Sequence, residues 1–101
     1  MALLPMKFDG SVENLTSSIT GVYTGVVNQS LYKSGHICVL NFYVPAGITN
    51  GNTLMTLPVA PVREEAITIS NVTYALDSNG VVRNYGATSA CYVQIVFPTN
   101  S

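Results

Sequence analysis

Few side chains in this sequence are of the types that make or break bonds, and their spacing limits what they can do. The one histidine, His36, directly follows Gly35. General-base work needs a nucleophile or an orienting carboxylate within hydrogen-bond reach, and no neighbour in sequence supplies either. Glu64 and Glu65 are the one adjacent acidic pair. Successive strand residues point to opposite faces, so this pair is not expected to flank one glycosidic bond. Asp9, Glu13 and Asp77 are dispersed and read as solvation of loops and edges. One histidine and two cysteines fall short of the spaced set of a structural zinc site. The run Asp77-Ser78-Asn79-Gly80 offers only part of a calcium loop and reads more simply as a turn. Glycine-rich phosphate loops are absent from the sequence. The expectation is a protein that is not an enzyme and that carries no cofactor or metal.

What remains is a group of aromatic, amide and cationic side chains near turns: Tyr32, His36, Tyr43, Arg83, Asn84 and Tyr85. A tyrosine joins a flat apolar body to a polar tip, which suits stacking on a sugar ring while amide and guanidinium groups bond its hydroxyls. The same tyrosines also suit a strand packed in a core or at a subunit contact. Both readings stay open for each residue taken singly.

The elements that would position these groups read as strands. Residues 21–29 are expected to form a first strand with Gly25 marking a bulge or a close backbone approach, and residues 29–35 to turn the chain. Residues 36–44 follow as a strand, with Cys38, Leu40, Phe42 and Val44 on one face and Ile37, Val39, Asn41 and Tyr43 on the other. The first face reads as core, and the second is too apolar for water alone. A short strand over 54–57 ends at Pro58. Residues 66–70 and 72–76 alternate on either side of Asn71, where a bulge or sheet corner is expected. Asn79-Gly80 is the strongest hairpin signal, and strands over 81–85 and 90–97 follow it. Cys38 and Cys91 each alternate with core-type neighbours, so both read as buried free thiols. A disulfide stays open if their strands pair.

No stretch keeps a 3.6-residue period bounded by caps, whereas short strands separated by turn residues mark a sandwich or barrel. The fold class is therefore all-β, a small antiparallel β-sandwich or barrel. Its domain is expected over 21–101, after a leader or connector over 1–20 that is either linker or edge segment. Hydrophobic residues make up 48% of the 101 residues and charged residues 9%, against a usual charged share of roughly a quarter. Such a surface implies burial against copies of the same chain, or else a monomer covered by neutral Ser, Thr and Asn. The four basic residues Lys7, Lys33, Arg63 and Arg83 are scattered and the net charge is -1. Nucleic acid is not an expected partner. No apolar run reaches the roughly 20 residues of a membrane span, so no membrane insertion is expected. Residues 1–10 lack the basic and long apolar regions of an export signal, which fits synthesis in a reducing cytoplasm.

The order of these features resembles the C-terminal head domains of bacteriophage tail-fibre and baseplate receptor-binding proteins. The resemblance is carried by Leu31-Tyr32-Lys33-Ser34-Gly35-His36 leading into a strand, by Gly47-Ile48-Thr49-Asn50-Gly51, and by Pro61-Val62-Arg63. It continues through Asp77-Ser78-Asn79-Gly80-Val81-Val82 and the ending Ile95-Val96-Phe97-Pro98-Thr99. It implies a homotrimer that binds bacterial cell-surface polysaccharide without cleaving it, sited on a virion tail or baseplate beside other tail or baseplate proteins. Synthesis in the host cytoplasm follows from the same likeness. No binding residue transfers from it. Two other classes share the architecture: a structural virion protein such as a tail tip or decoration, and a bacterial carbohydrate-binding or adhesin module.

Overall fold

The computed structural model describes residues 12–100, which form two four-stranded antiparallel sheets packed face to face. The first sheet has the order β1-β2-β3-β8, from Val12–Asn14, Val27–Ser34, Ile37–Val44 and Cys91–Pro98. The second has the order β4-β7-β6-β5, from Thr53–Thr56, Val81–Tyr85, Val72–Leu76 and Glu65–Ile69. This is the expected all-β class, and of the sandwich and the barrel left open by the sequence, two packed antiparallel sheets are compatible with the sandwich.

The alternation on β3 explains its place at the centre of the first sheet. Cys38, Leu40, Phe42 and Val44 are all buried, and the residues between them are not. Pairing with β8 sets Phe97, Ile95 and Val93 beside Cys38, Leu40 and Phe42, so one register buries both sets. From the other sheet, Tyr74, Leu76, Val82, Leu54 and Met55 complete the core. Phe42 meets Tyr74 edge-to-face across the interior, with ring centroids 6.3 Å apart.

The sheets are stitched at their margins. Thr20 and Thr56 exchange backbone hydrogen bonds, and the Tyr23 amide donates to the Leu54 carbonyl, so residues 20–23 run along the open side of β4. Elsewhere the Val62 amide donates to Pro98, and the Thr99 hydroxyl donates to the Ala60 carbonyl at 2.7 Å. Open edges attract foreign strands, and these crossings cover part of them.

Three expectations require correction. The strand expected over 21–29 begins only at Val27 and runs on through Ser34, while the Val26 amide closes a turn onto Tyr23. Asn28, at φ +58°, shifts the register between Val27 and Ser30, and this bulge keeps Leu31 inward. The turn expected over 29–35 shrinks to Gly35-His36, with Gly35 at φ +61°. Asn71 forms neither bulge nor corner: β5 and β6 make a two-residue hairpin through Ser70 and Asn71.

Residues 12–14 of the expected leader serve as the edge strand, and the Thr16 hydroxyl accepts the Leu31 amide proton at 2.9 Å. The rest of that leader, residues 1–11, lies outside the described residues. Cys38 pairs with Phe97 and Cys91 with Val44, at opposite ends of one strand pair. Six residues of strand separate them by about 20 Å, far beyond disulfide reach. Both thiols are free, Cys38 buried and Cys91 half-buried. No helix among the described residues is long and apolar enough to cross a membrane.

Candidate functional site

The outer face of the second sheet holds an open pocket of about 320 Å³, lined by Glu64, Glu65, Ala66, Thr73, Ala75 and Tyr85. Its shape follows from side-chain size. Ala66 lies opposite Ala75, and two methyl groups side by side leave a depression between larger neighbours. Tyr85 lies opposite Thr73 and stands at one wall, half exposed at 50%. Arg83, partnered with Ala75, is the next residue outward on the same face. Thr68 and Thr73 share a hydroxyl hydrogen bond of 2.8 Å beside the floor.

Glu64 precedes β5 and Glu65 is its first residue. The strict alternation of a strand therefore does not separate them, and both line the pocket, contrary to the opposite-face expectation. The Glu65 carboxylate also takes a 3.8 Å contact from the Arg63 Nε in solvent, a loose pair. Two carboxylates, a threonine hydroxyl and a phenol give a set of acceptors and donors over an apolar floor. Among the lining residues there is no histidine, cysteine or lysine. Among the described residues, no three His, Cys, Asp or Glu side chains gather closely enough to hold a metal ion.

The six residues singled out from sequence divide among four places. Arg83 and Tyr85 lie on this outer face. Asn84, between them on β7, points the other way and is fully buried. Its Nδ2 donates to the carbonyls of Ile48, Thr49 and Gly86 at 3.3, 2.9 and 2.9 Å, so its role is to hold loops and not to meet a ligand. His36 is exposed in the β2–β3 turn, on the first sheet. Tyr32 and Tyr43 lie on the outer face of that sheet, away from the pocket. Tyr43 meets Tyr92, which the sequence reading passed over, with centroids 5.0 Å apart and planes at 61°.

The sequence reading also passed over Ala66, Thr73 and Ala75, and set Glu64 and Glu65 aside. The signal for them is the Ser70-Asn71 pair, because a two-residue turn there places Ala66 opposite Ala75 and Thr68 opposite Thr73. The chain matches no family model, no curated protein and no solved structure. What the pocket can hold is therefore read from its own atoms.

Burial makes itself felt chemically in the core. It raises the Cys38 thiol above its ordinary range, partly offset by the charge of Lys33. Burial, with a second contribution from the 3.9 Å contact to the Cys91 sulfur, pushes the Tyr74 phenol far above its usual range. Both groups stay neutral, and neither opens to the pocket.

Proposed function

We propose that this protein is a non-enzymatic adhesion module that holds a saccharide of a bacterial surface against the outer face of its second sheet. The observation that carries the reading is the half-exposed Tyr85 ring beside an alanine floor rimmed by carboxylate and hydroxyl groups. An apolar floor accepts the C–H face of a sugar, the phenol stacks at its edge, and the acceptors bond its hydroxyls. Two carboxylates at the rim disfavour a polyanionic ligand and favour a neutral or amino sugar.

The setting we propose is the head of a bacteriophage tail-fibre or baseplate receptor-binding protein, acting as a homotrimer alongside other tail or baseplate proteins. An open, shallow site binds weakly by itself, and repetition across subunits raises its avidity by orders of magnitude. This accords with adhesion, where grip is needed and turnover is not.

The test is binding of the labelled domain to a panel of bacterial cells and to their extracted neutral, amino-bearing and phosphate-bearing polysaccharides. Tyr85→Ala is expected to weaken single-site binding about tenfold, equivalent to about 1.4 kcal/mol, while leaving the oligomeric mass unchanged. An oligomer that binds nothing on the panel would turn the reading toward a structural virion component. Loss of the polysaccharide on incubation would make it an enzyme.

A further inference from the structure

The first sheet turns outward a face with no Lys, Arg, His, Asp or Glu. The register places Tyr32, Val39 and Val96 in one row, Asn41 and Gln94 in the next, and Tyr43 and Tyr92 beyond them. Ile37 and Val96 are about half exposed, at 48% and 54%, and Tyr92 is 69% exposed. The charged residues of these strands, Glu13 and Lys33, have the opposite parity and pair with each other at 3.4 Å. Asn14, Ser30 and Ser34 complete the face, which is uncharged across all four strands and carries exposed tyrosine and branched aliphatic side chains between its neutral polar ones. Scattered apolar side chains on a surface need no explanation, but a whole sheet face without one charge does.

We propose that this face is where one copy of the chain docks on a second copy. The proposal rests on the assembly part of the reading above and not on its sugar part. An uncharged face meets its own copy without burying an unpaired charge, the costliest defect an interface can have. Its lack of charge and its three tyrosines, Tyr32, Tyr43 and Tyr92, match the composition of an interface centre. The two amides at its middle already share one hydrogen bond, the Gln94 Nε2 donating to the Asn41 Oδ1 at 3.0 Å, which lowers part of the cost of drying them.

Size agrees. Three strands of eight residues, about 26 Å long and set at about 4.8 Å, with the three-residue β1 beside them, present on the order of 400 Å² in projection. Side-chain relief raises the accessible area toward the roughly 800 Å² per partner of a standard stable interface. A saccharide fits this face poorly, because branched aliphatics offer its hydroxyls nothing and the two tyrosine rings are inclined rather than coplanar.

The test is the mass of the full chain in solution, by sedimentation or light scattering at micromolar concentration. The wild type is expected at a multiple of the single-chain mass, and Val96→Lys at the single-chain mass with strand circular dichroism retained. Tyr92→Lys, at the most exposed of the face's large side chains, gives the same readout if Val96→Lys misfolds. Ala87→Lys, which adds the same charge in an exposed loop, is expected to keep the wild-type mass. A wild-type monomer overturns the proposal, as does an oligomer unmoved by both face variants. Saccharide binding by a folded monomeric variant would show the sugar reading standing independently of the interface.

Discussion

The side-chain amide of Asn84 on β7 donates to the carbonyl of Thr49, 35 residues earlier in the loop between β3 and β4, at 2.9 Å. The same nitrogen also reaches Ile48 and Gly86, so its two hydrogens serve three carbonyls. The Asn50 side chain returns the link by accepting the Gly86 amide proton at 2.9 Å. Thr88 adds a second clasp: its hydroxyl donates to Pro45 at 2.6 Å and accepts from the Ile48 amide at 2.9 Å. Together they fix one end of the sandwich, where the chain passes from the first sheet to the second.

Asn84→Ala is therefore expected to destabilise the fold by about 1–3 kcal/mol, because the Gly86 carbonyl loses its side-chain donor and a void replaces the buried amide, while Ile48 and Thr49 keep the Thr88 amide and the Asn52 side chain. The measurement is the urea unfolding midpoint. Asn84→Asp should cost more, because a carboxylate would face the same carbonyl oxygens. If Asn84→Ala unfolded at the wild-type midpoint but lost saccharide binding, Asn84 would return to the list of ligand contacts.

The contrast between Asn84 and its neighbours shows how far the sequence could be read. Strand identity over 81–85 is legible from alternation, but whether the odd or the even residues face inward depends on what packs there. Arg83 and Tyr85 took the outer face because Val82 and Asn84 fill the interior. The three carbonyls that its amide ties together belong to segments distant in sequence or turned back on the strand, and no local pattern announces them. On β3 the inward set is plain, as Cys38, Leu40, Phe42 and Val44 are uniformly apolar. At β2 the polar run through Asn28, Gln29 and Ser30 looks like a turn, and the pairing with β3 overrides that local preference.

Alkaline pH is expected to weaken the fold. The Cys38 thiol and the Tyr74 phenol are both raised in the folded chain above their ordinary values of 9.0 and 10.0, mainly by burial. Between its unfolded and folded pKa values, each group has lost its proton in the unfolded chain and kept it in the folded one. Its contribution is thus complete below the unfolded value and lost as pH rises. Urea midpoints are expected to stay level with respect to these groups up to about pH 9 and then fall. Tyr74→Phe should soften the decline above pH 10. A midpoint still level at pH 11 in the wild type would refute the assignment.

The hairpin that builds the pocket floor offers the last test. Ser70 and Asn71 take φ values of +52° and +68°, the left-handed pair of a type I′ turn. Asparagine tolerates this region, but serine at its first position is a poor choice, and glycine is the natural occupant of the second. Replacing the pair with Asn-Gly, as Ser70→Asn with Asn71→Gly, is expected to stabilise the protein by about 0.5–1 kcal/mol. The gain should appear as a higher urea midpoint at unchanged slope. The register stays fixed by Ile69 opposite Val72 and Ile67 opposite Tyr74, so Ala66 must remain opposite Ala75. Saccharide binding should then be unchanged in the stabilised variant. A bulged or cornered connection would respond differently, since an Asn-Gly turn would pull the strands into a new register and displace the alanine floor. Loss of stability together with loss of binding would therefore count against both the hairpin and the pocket built on it.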